Sequence, residues 1–342
     1  MGFSCGAVEL IIQEHLYKPL TGDILLIGRQ NTDIPPQAML NLLDLYGIKP
    51  RVPLELEKRG SLAHNVLTLS DDTDRIADVA VFHSLADVNV MALDISDYEG
   101  AEIVHDLNLP LPDKYKGRFD FIFDGSSMDN IFNGAQALFS FSELLRPGGR
   151  VLAYNASNSA RTAYSMYSPD WFFDFFAVNR YADCKLYLHE FPFEGAAVVP
   201  AVMPKGGYPP QHGSFWHYDP LVVRDGKPDV EYSQIWDSCH RYVYALAEKG
   251  SESTSAVAPV KKHLRGDDAN IYVESALRFR NSGRPVCHPR SGESFSVDSI
   301  SSAGVVYPVS RWSSRPYEKR PHTGRRNESP PKIPVLGSFA RA

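Results

Sequence analysis

Residues 118–154 read RFDFIFDGSSMDNIFNGAQALFSFSELLRPGGRVLAY, and this stretch decides the fold. Its apolar run Asp120–Asp124 predicts a buried strand, and Asn130–Leu145 has the length and composition of a helix. The turn LRPGG at 145–149 ends that helix, and Arg150–Tyr154 predicts the next strand. Two buried strands joined by a helix form a βαβ unit, whose strands are parallel and whose crossover is right-handed.

The same alternation extends toward the N-terminus. Strands are predicted at Ile24–Ile27, Val88–Ile95 and Ala101–His105, and helices at Val8–Tyr17, Pro35–Tyr46 and Asp74–Leu85. Strands that alternate with helices predict a mostly parallel sheet with helices on its faces. We therefore expect an α/β domain of the Rossmann-like kind over residues 1–190.

The pattern changes after Asn155. A strongly aromatic helix is predicted at Ser168–Ala177, a strand at Cys184–Phe191, an ordered loop at Pro200–Pro220 and a helix at Tyr232–Leu246. Residues 191–250 are expected to form an acceptor lid or an elaboration of the same domain. Residues 251–342 are expected to be largely irregular and, from about residue 311, disordered, because Ser, Pro, Gly and Arg dominate there.

Charge and cysteine content narrow the class of protein. The formal charge of the 342 residues is −6, but residues 311–342 alone carry +6, so the other 310 residues carry −12. An acidic body offers no general attraction to nucleic acid, and we interpret the basic end as a solvated tail. The four cysteines form no C-x-x-C pair, and neither a signal peptide nor an apolar run of about 20 residues is present. These features predict a cytoplasmic protein that does not bind membranes.

Polar residues follow several of the predicted strands. In open α/β sheets, ligands bind beyond the carboxyl ends of the strands, near the point where the strand order reverses. Gly28 follows the first strand and permits a tight turn, and Asp94, at the end of the second, is placed to accept hydrogen bonds from ribose hydroxyls. Asp106 comes just after the next strand, where a carboxylate can accept a hydrogen bond from an adenine amino group. Asp124 ends the fourth strand and is expected to face the same ligand site. Each acid has an ordinary alternative role as a cap of a turn.

The order FDFIFD, helix, LRPGGRVLA resembles class I S-adenosylmethionine-dependent methyltransferases, in which an L-x-P-G-G turn precedes the fifth strand. The stretch LDISDYEGAEIVHDLN resembles the second- and third-strand segment of bacterial members. The resemblance covers about residues 20–190. It implies a seven-stranded sheet with helices on both faces and S-adenosylmethionine as the cofactor. It also implies a cofactor site formed by Gly28, Arg29, Asp94, Asp106, Leu107 and Asp124.

One segment departs from the family. Its first loop has three glycines, G-x-G-x-G, whereas this chain has Gly28-Arg29-Gln30-Asn31-Thr32. Side chains such as those of Arg29 and Asn31 either fill the pocket or, in the case of Arg29, contact the carboxylate of the cofactor. The loop is therefore a degenerate version of the family's loop.

The acceptor side is predicted from residues suited to proton transfer. Asp129 lies where related enzymes place polar residues that face the acceptor, and His212 and His217 lie in the aromatic segment PPQHGSFWHYDP. These three are the candidate catalytic residues. The alternative is a packed loop whose histidines have local partners. No strict metal-ligand spacing is present, so no metal site is predicted.

The resulting hypothesis is methyl transfer from S-adenosylmethionine to a small molecule or sugar, on oxygen or nitrogen. A homodimer is the expected assembly, with no nucleic-acid partner. A catalytically inactive methyltransferase-like binding protein is the alternative, because of the altered first loop. A nicotinamide-dependent enzyme fits less well, since no G-x-G-x-x-G follows the first strand.

Overall fold

The computed structural model describes residues 2–32, 34–57, 74–158, 163–192, 214–232, 239–262 and 270–287. Their strands, in chain order, are β1 (Gly2–Phe3), β2 (Asp23–Ile27), β3 (Asn31–Thr32), β4 (Asn89–Asp94), β5 (Ile103–Val104), β6 (Phe119–Gly125), β7 (Leu145–Ala156), β8 (Asp183–Pro192), β9 (Ser214–Tyr218), β10 (Leu221–Arg224), β11 (Lys227–Val230) and β12 (Cys239–Glu248). The helices are α1 (Cys5–Tyr17), α2 (Pro36–Leu45), α3 (Asp78–His83), α4 (Gly134–Leu144), α5 (Pro169–Val178) and α6 (Asn270–Arg280).

Eight of these strands form one sheet in the order β5-β4-β2-β6-β7-β12-β8-β9. The five strands from β5 to β7 are parallel, whereas β12 is antiparallel to both of its neighbours and β9 is antiparallel to β8. The predicted Rossmann-like α/β fold is confirmed. The sheet has one strand more than the seven implied by the resemblance.

Helices cover both faces of the sheet because successive side chains of each buried strand point to opposite sides. Phe121 and Phe123 of β6 pack with residues of α1, α2 and α3, whereas Ile122, between them, packs with residues of α4, α5 and α6. Both faces of the central strands are therefore buried. This explains why the consecutive residues Phe121, Ile122 and Phe123 of β6 are all apolar rather than every second one.

The strand order reverses beside β2. From β2 the chain continues to β4 and β5 on one side, and it later returns to β6 and β7 on the other side. The carboxyl ends of β2, β4 and β6 consequently meet at a topological switch point, where open α/β sheets bind ligands. We call the space beyond these three ends the crevice.

The N-terminal residues also lie near this edge of the sheet. Strand β1 pairs in parallel with β3, and the Phe3 ring stacks on the Phe123 ring with centroids 4.2 Å apart. The Tyr154 hydroxyl donates to the Gly2 carbonyl oxygen at 2.8 Å. A Cβ on Gly2 would collide with the Asn31 carbonyl, so only glycine fits at this position. The segment after β2 thus forms a strand pair with the N-terminus.

The helix predicted at Tyr232–Leu246 is wrong, because residues 239–248 form β12. Within β12, Val243 and Ala245 pack on one face of the sheet and Tyr244 and Leu246 on the other. A strand buried on both faces gives a continuous apolar run, which hydrophobic periodicity cannot distinguish from a buried helix. The predicted loop Pro200–Pro220 also contains a strand, since its residues 214–218 form β9.

The other predicted helices and strands are confirmed, with ends that shift by a few residues. Where helix Asn130–Leu145 was predicted, a short 3₁₀ turn at Met128–Asn130 comes first and α4 starts at Gly134. The predicted disordered tail from residue 311 lies outside the described residues. In the part of the chain that the structure describes, no helix is long and apolar enough to cross a membrane.

Candidate functional site

Gly28 forms the first side of the crevice. It has a φ of +72°, a conformation that favours glycine, and its backbone N–H donates to the Leu93 carbonyl at 2.7 Å. A Cβ at this position would lie 3.3 Å from Asp94 Oδ2 and 3.5 Å from Ser127 Oγ. The absence of a side chain therefore allows the ends of β2, β4 and β6 to approach one another.

Asp94 presents a carboxylate to the same space. It is half-buried at the end of β4, and its Oδ1 accepts a hydrogen bond from the Ile95 N–H at 2.6 Å. Among the described residues, no group donates to its Oδ2, the oxygen nearest to Gly28. An accessible carboxylate oxygen without a donor is suited to bind a ligand hydroxyl or amino group, because charge-assisted hydrogen bonds are the strong ones.

Gln30 is buried next to Gly28, beside the crevice. Only 2% of its surface is exposed, and its Nε2 donates to the Ile27 carbonyl at 2.5 Å and to the Gly28 carbonyl at 3.1 Å. Its Oε1 packs so closely against Gly125 that a Cβ there would collide with it. Within the described residues, this Oε1 is buried and accepts no hydrogen bond. The Gln30 side chain and Gly125 thus form one packed unit.

Gln30 was not among the predicted site residues. Arg29 and Asn31 were predicted to fill the pocket, yet in the pattern G-x-G-x-G the glycines fall at positions 28, 30 and 32. Gln30 stands at the second of these positions. That alignment is the signal that could have identified it.

Arg29 forms an ion pair with Asp78, which lies in the first turn of α3. Its guanidinium lies 2.8 Å from Asp78 Oδ1, and the Gln30 N–H donates to Asp78 Oδ2 at 3.0 Å. Burial raises the pKa of Asp78, and the charge of Arg29 opposes that rise. The ion pair that the structure gives Arg29 is therefore internal, and its contact with the cofactor carboxylate stays a prediction.

Asp106 lies in the turn that follows β5. The His105 N–H donates to the Asp94 carbonyl at 2.8 Å, which places this turn beside the crevice. Asp106 Oδ1 accepts from the backbone N–H and the side-chain amide of Asn108, and these bonds lower the pKa of Asp106. Leu107 is buried in the core. Asp106 caps its turn through Oδ1, as the alternative role required, and the adenine contact stays a prediction.

Asp124 lies beneath the crevice rather than at its surface. It is fully buried, and it accepts hydrogen bonds from Asn155 Nδ2 at 2.8 Å, the Ser127 N–H at 2.9 Å and the Met128 N–H at 3.1 Å. Burial, only partly offset by the bond from Asn155, raises the pKa of Asp124 to about 7. The expectation that Asp124 faces the ligand is corrected, since the carboxylate offers no exposed oxygen.

Asp129 is also buried and acts as an internal acceptor. Its Oδ2 accepts from the Ser126 hydroxyl and from the Ala156 N–H, and its Oδ1 accepts from Asn130 Nδ2 at 2.8 Å. Burial raises the pKa of Asp129, which would suit a proton acceptor. Only 1% of the residue is exposed, however, so the structure does not present it to an acceptor molecule.

His217 is not brought to the crevice. It lies on β9, which is five strand positions away from β2 in the sheet, a distance of about 24 Å at roughly 4.8 Å per strand. Its ring packs edge-on against Tyr187 with centroids 5.6 Å apart. The predicted catalytic role beside the crevice is therefore not supported for His217. His212 lies outside the described residues.

No family model matches the chain, and no curated protein matches it. Solved structures do match. A Burkholderia thailandensis 1,6-didemethyltoxoflavin-N1-methyltransferase is 12% identical, with 72% of this chain and 78% of that chain covered and a TM-score of 0.32. A SAM-dependent methyltransferase from Archaeoglobus fulgidus is 9% identical, with 72% and 95% covered and a TM-score of 0.31.

A structure assigned to the Zn-dependent alcohol dehydrogenases of Rhodobacter sphaeroides is also similar. It is 12% identical, with 47% of this chain and 51% of that chain covered and a TM-score of 0.26. The names of these structures describe two different reactions, and all three TM-scores are below 0.5. The function is therefore inferred from this chain's own residues.

Proposed function

We propose that the chain binds S-adenosylmethionine in the crevice and transfers its methyl group to a small-molecule or sugar acceptor. The observation that carries the proposal is Asp94 Oδ2 beside Gly28, at the switch point of the sheet, to which none of the described residues donates a hydrogen bond. An acid at the end of the second strand is the group that binds ribose hydroxyls in Rossmann-like sites. The resemblance of the L-x-P-G-G segment supports the same cofactor.

The residues around the crevice fit the parts of this cofactor. Asp94 would accept hydrogen bonds from the two ribose hydroxyls, and the backbone at Gly28 would allow the ligand to approach closely. The Asp106–Leu107 turn lies beside Asp94, where an adenine ring would follow the ribose. When bound, the cofactor supplies an electrophilic methyl group on a positively charged sulfur.

The chain would contribute mainly alignment and exclusion of water. Asp124 and Asp129 are buried and hydrogen-bonded internally, so neither presents a base at the surface of the crevice. Methyl transfer to nitrogen needs only a desolvated and aligned lone pair, whereas transfer to a hydroxyl benefits from a general base. A nitrogen acceptor is therefore favoured over an oxygen acceptor.

One observation favours a second function, a binding protein without transfer activity. Gln30 stands at the second glycine position of the loop and packs against Gly125. The methionine part of the cofactor approaches the backbone of that loop in the family that the chain resembles. A chain in which Gln30 excludes this part would bind the adenosine portion alone.

Calorimetric titrations of the full chain distinguish these functions. S-adenosylmethionine and S-adenosylhomocysteine are expected to bind at one site per chain with micromolar affinity, and adenosine about tenfold or more weaker, because it lacks the amino-acid part. Equal affinity for adenosine and S-adenosylhomocysteine would favour the second function. In that case Gln30→Gly should restore the difference.

The cofactor itself is tested in the same series with NAD⁺. No detectable binding is expected, since the chain lacks the glycine pattern of a dinucleotide site. Binding of NAD⁺ in place of S-adenosylhomocysteine, or binding of none of these ligands by a folded sample, would contradict the proposal.

A further inference from the structure

Two large aromatic side chains project into solvent at the carboxyl edge of the sheet. Phe132 is 81% exposed and Tyr164 is 73% exposed. Their rings nevertheless contact each other edge to face, with centroids 6.1 Å apart and planes at 79°. Single exposed apolar residues are ordinary, but an adjacent exposed aromatic pair marks a surface suited to binding.

The backbone holds this pair at the rim of the crevice. Phe132 follows the 3₁₀ turn Met128–Asn130, which begins directly after Ser127, the residue whose Oγ lies near Gly28. The next residue, Asn133, donates its N–H to Asn108 Oδ1 at 2.9 Å, next to the Asp106 turn. Phe132 therefore lies on the segment that follows β6, and a hydrogen bond holds this segment against the turn after β5.

Tyr164 is fixed to the same segment from the other side. Its N–H donates to the Asp129 carbonyl oxygen at 2.8 Å, and the nearby Tyr167, which is buried, donates its hydroxyl to the Met128 carbonyl at 3.3 Å. Both rings are thus attached to anchored backbone. A preorganised surface binds a ligand with a smaller loss of conformational freedom.

The segment that follows β4 and contains the Asp106 turn is negatively charged. The segment 94–108 carries five acids and no lysine or arginine: Asp94, Asp97, Glu99, Glu102 and Asp106. An anionic molecule would be repelled, whereas a neutral or cationic molecule would not. Aromatic faces bind flat rings by stacking and cations through the ring quadrupole.

We propose that Phe132 and Tyr164 form the acceptor platform and that the acceptor is a planar aromatic ring that is uncharged or cationic. This assignment rests on the proposed methyl transfer, because it places the ring beside the crevice that holds the cofactor. A flat heteroaromatic ring also offers the nitrogen lone pair that this site favours as methyl acceptor.

Ligand-observed NMR on the full chain tests the platform with three matched probes, which are quinoline, the N-methylquinolinium cation and quinoline-4-carboxylate. Quinoline and the cation are expected to bind, and the anion to bind at least about fivefold more weakly. Phe132→Ala and Tyr164→Ala should each weaken quinoline binding about fivefold, whereas Tyr164→Phe should retain it. Tyr98→Ala is the matched control, because Tyr98 is 77% exposed on the same edge of the sheet.

Titration of the same samples with S-adenosylhomocysteine separates the two proposals. Loss of quinoline binding with unchanged S-adenosylhomocysteine affinity supports the platform. Unchanged quinoline binding in both alanine variants, equal weakening by Tyr98→Ala, or preferred binding of the anion overturns the platform and leaves the cofactor site standing. If wild-type protein binds no S-adenosylhomocysteine, the proposed function fails, and the platform is still tested by the probes alone.

Discussion

The acids at the ends of β4 and β6 occupy the same edge of one sheet, yet they differ in what they can do. Asp94, the last residue of β4, is half-buried, and among the described residues it receives one hydrogen bond, from the neighbouring Ile95 N–H. Asp124, near the end of β6, is fully buried and receives three from described residues. The first can bind a ligand, and the second holds the fold together.

The turn that follows each strand causes this difference. After β6, Ser126 adopts a φ of +68°, which turns the backbone so that the Ser127 and Met128 N–H groups point back at Asp124. After β4, Ile95 is the one described residue that donates to the Asp94 side chain, and Ile95 itself is exposed. The backbone of the next few residues therefore decides whether an acid at a strand end is accessible to a ligand or is bonded within the protein.

The largest expected effect is on stability. Asp124→Ala leaves three donors, two of them buried and one partly buried, without an acceptor, at about 1–3 kcal/mol each, so it should lower the free energy of unfolding by roughly 5 kcal/mol. Asp94→Ala removes one bond at a half-exposed position and should cost less than about 1 kcal/mol. Urea unfolding at pH 5, where Asp124 with its pKa of about 7 is protonated, measures both. Equal losses would remove the distinction between the two acids.

The buried acid should also make stability depend on pH. Burial raises the pKa of Asp124 to about 7 in the folded chain, above its usual 3.8, so the native state binds a proton more tightly than the unfolded state. Stability from this group is therefore greatest below about pH 4, is lost as the pH rises to about 7, and changes by at most about 4 kcal/mol.

Asp124→Asn isolates this contribution, because the variant has no carboxyl group to titrate. The unfolding free energy of the wild type minus that of the variant should fall as the pH rises from 4.5 to 7.5, because only the wild type loses a proton at this position. The pKa of His189, which burial lowers to about 3, affects both proteins alike. The charge of Asp129 contributes to the raised pKa of Asp124, so the variant removes this coupling together with the carboxyl group. Parallel stability curves would show that Asp124 is not protonated in this range.

A smaller loss of stability is expected when the ion pair of Arg29, which follows β2, is removed. Arg29→Met leaves the buried Asp78 without its cation and should lower the free energy of unfolding by about 2 kcal/mol. Arg118→Met breaks a half-exposed pair with Asp23 and should cost less than about 1 kcal/mol. Affinity for S-adenosylhomocysteine should change less than about twofold in either variant. A large loss of affinity in Arg29→Met alone would restore the predicted contact with the cofactor.

The sequence predicted those parts of the fold that local patterns determine. The buried strands around Ile24–Ile27 and Asp120–Asp124, the helices between them and the LRPGG turn were predicted, because apolar runs and helix-ending residues reflect local physics. Strand β12 was missed, since its two-sided burial depends on β7 and β8, which lie far away in the sequence.

The candidate site was predicted in part. Gly28 and Asp94 were predicted to lie together, and they do, because the carboxyl ends of parallel strands meet at one edge. The burial of Asp124 and Asp129 could not be predicted, because it depends on hydrogen bonds to Asn155 and Ala156, at the end of another strand. The distance of His217 from the crevice depends likewise on the order of strands in the sheet.

The most direct test of the account is calorimetric titration of S-adenosylhomocysteine into Asp94→Ala and Asp97→Ala. Both variants lose one acid from the same rim, but Asp97 is exposed and lies in the turn beyond β4. Asp94→Ala should weaken binding about thirtyfold or more, which corresponds to about 2 kcal/mol for lost charge-assisted hydrogen bonds. Asp97→Ala should change it less than about threefold. Unchanged affinity in Asp94→Ala, or equal losses in both variants, would contradict the assignment of the crevice as the cofactor site.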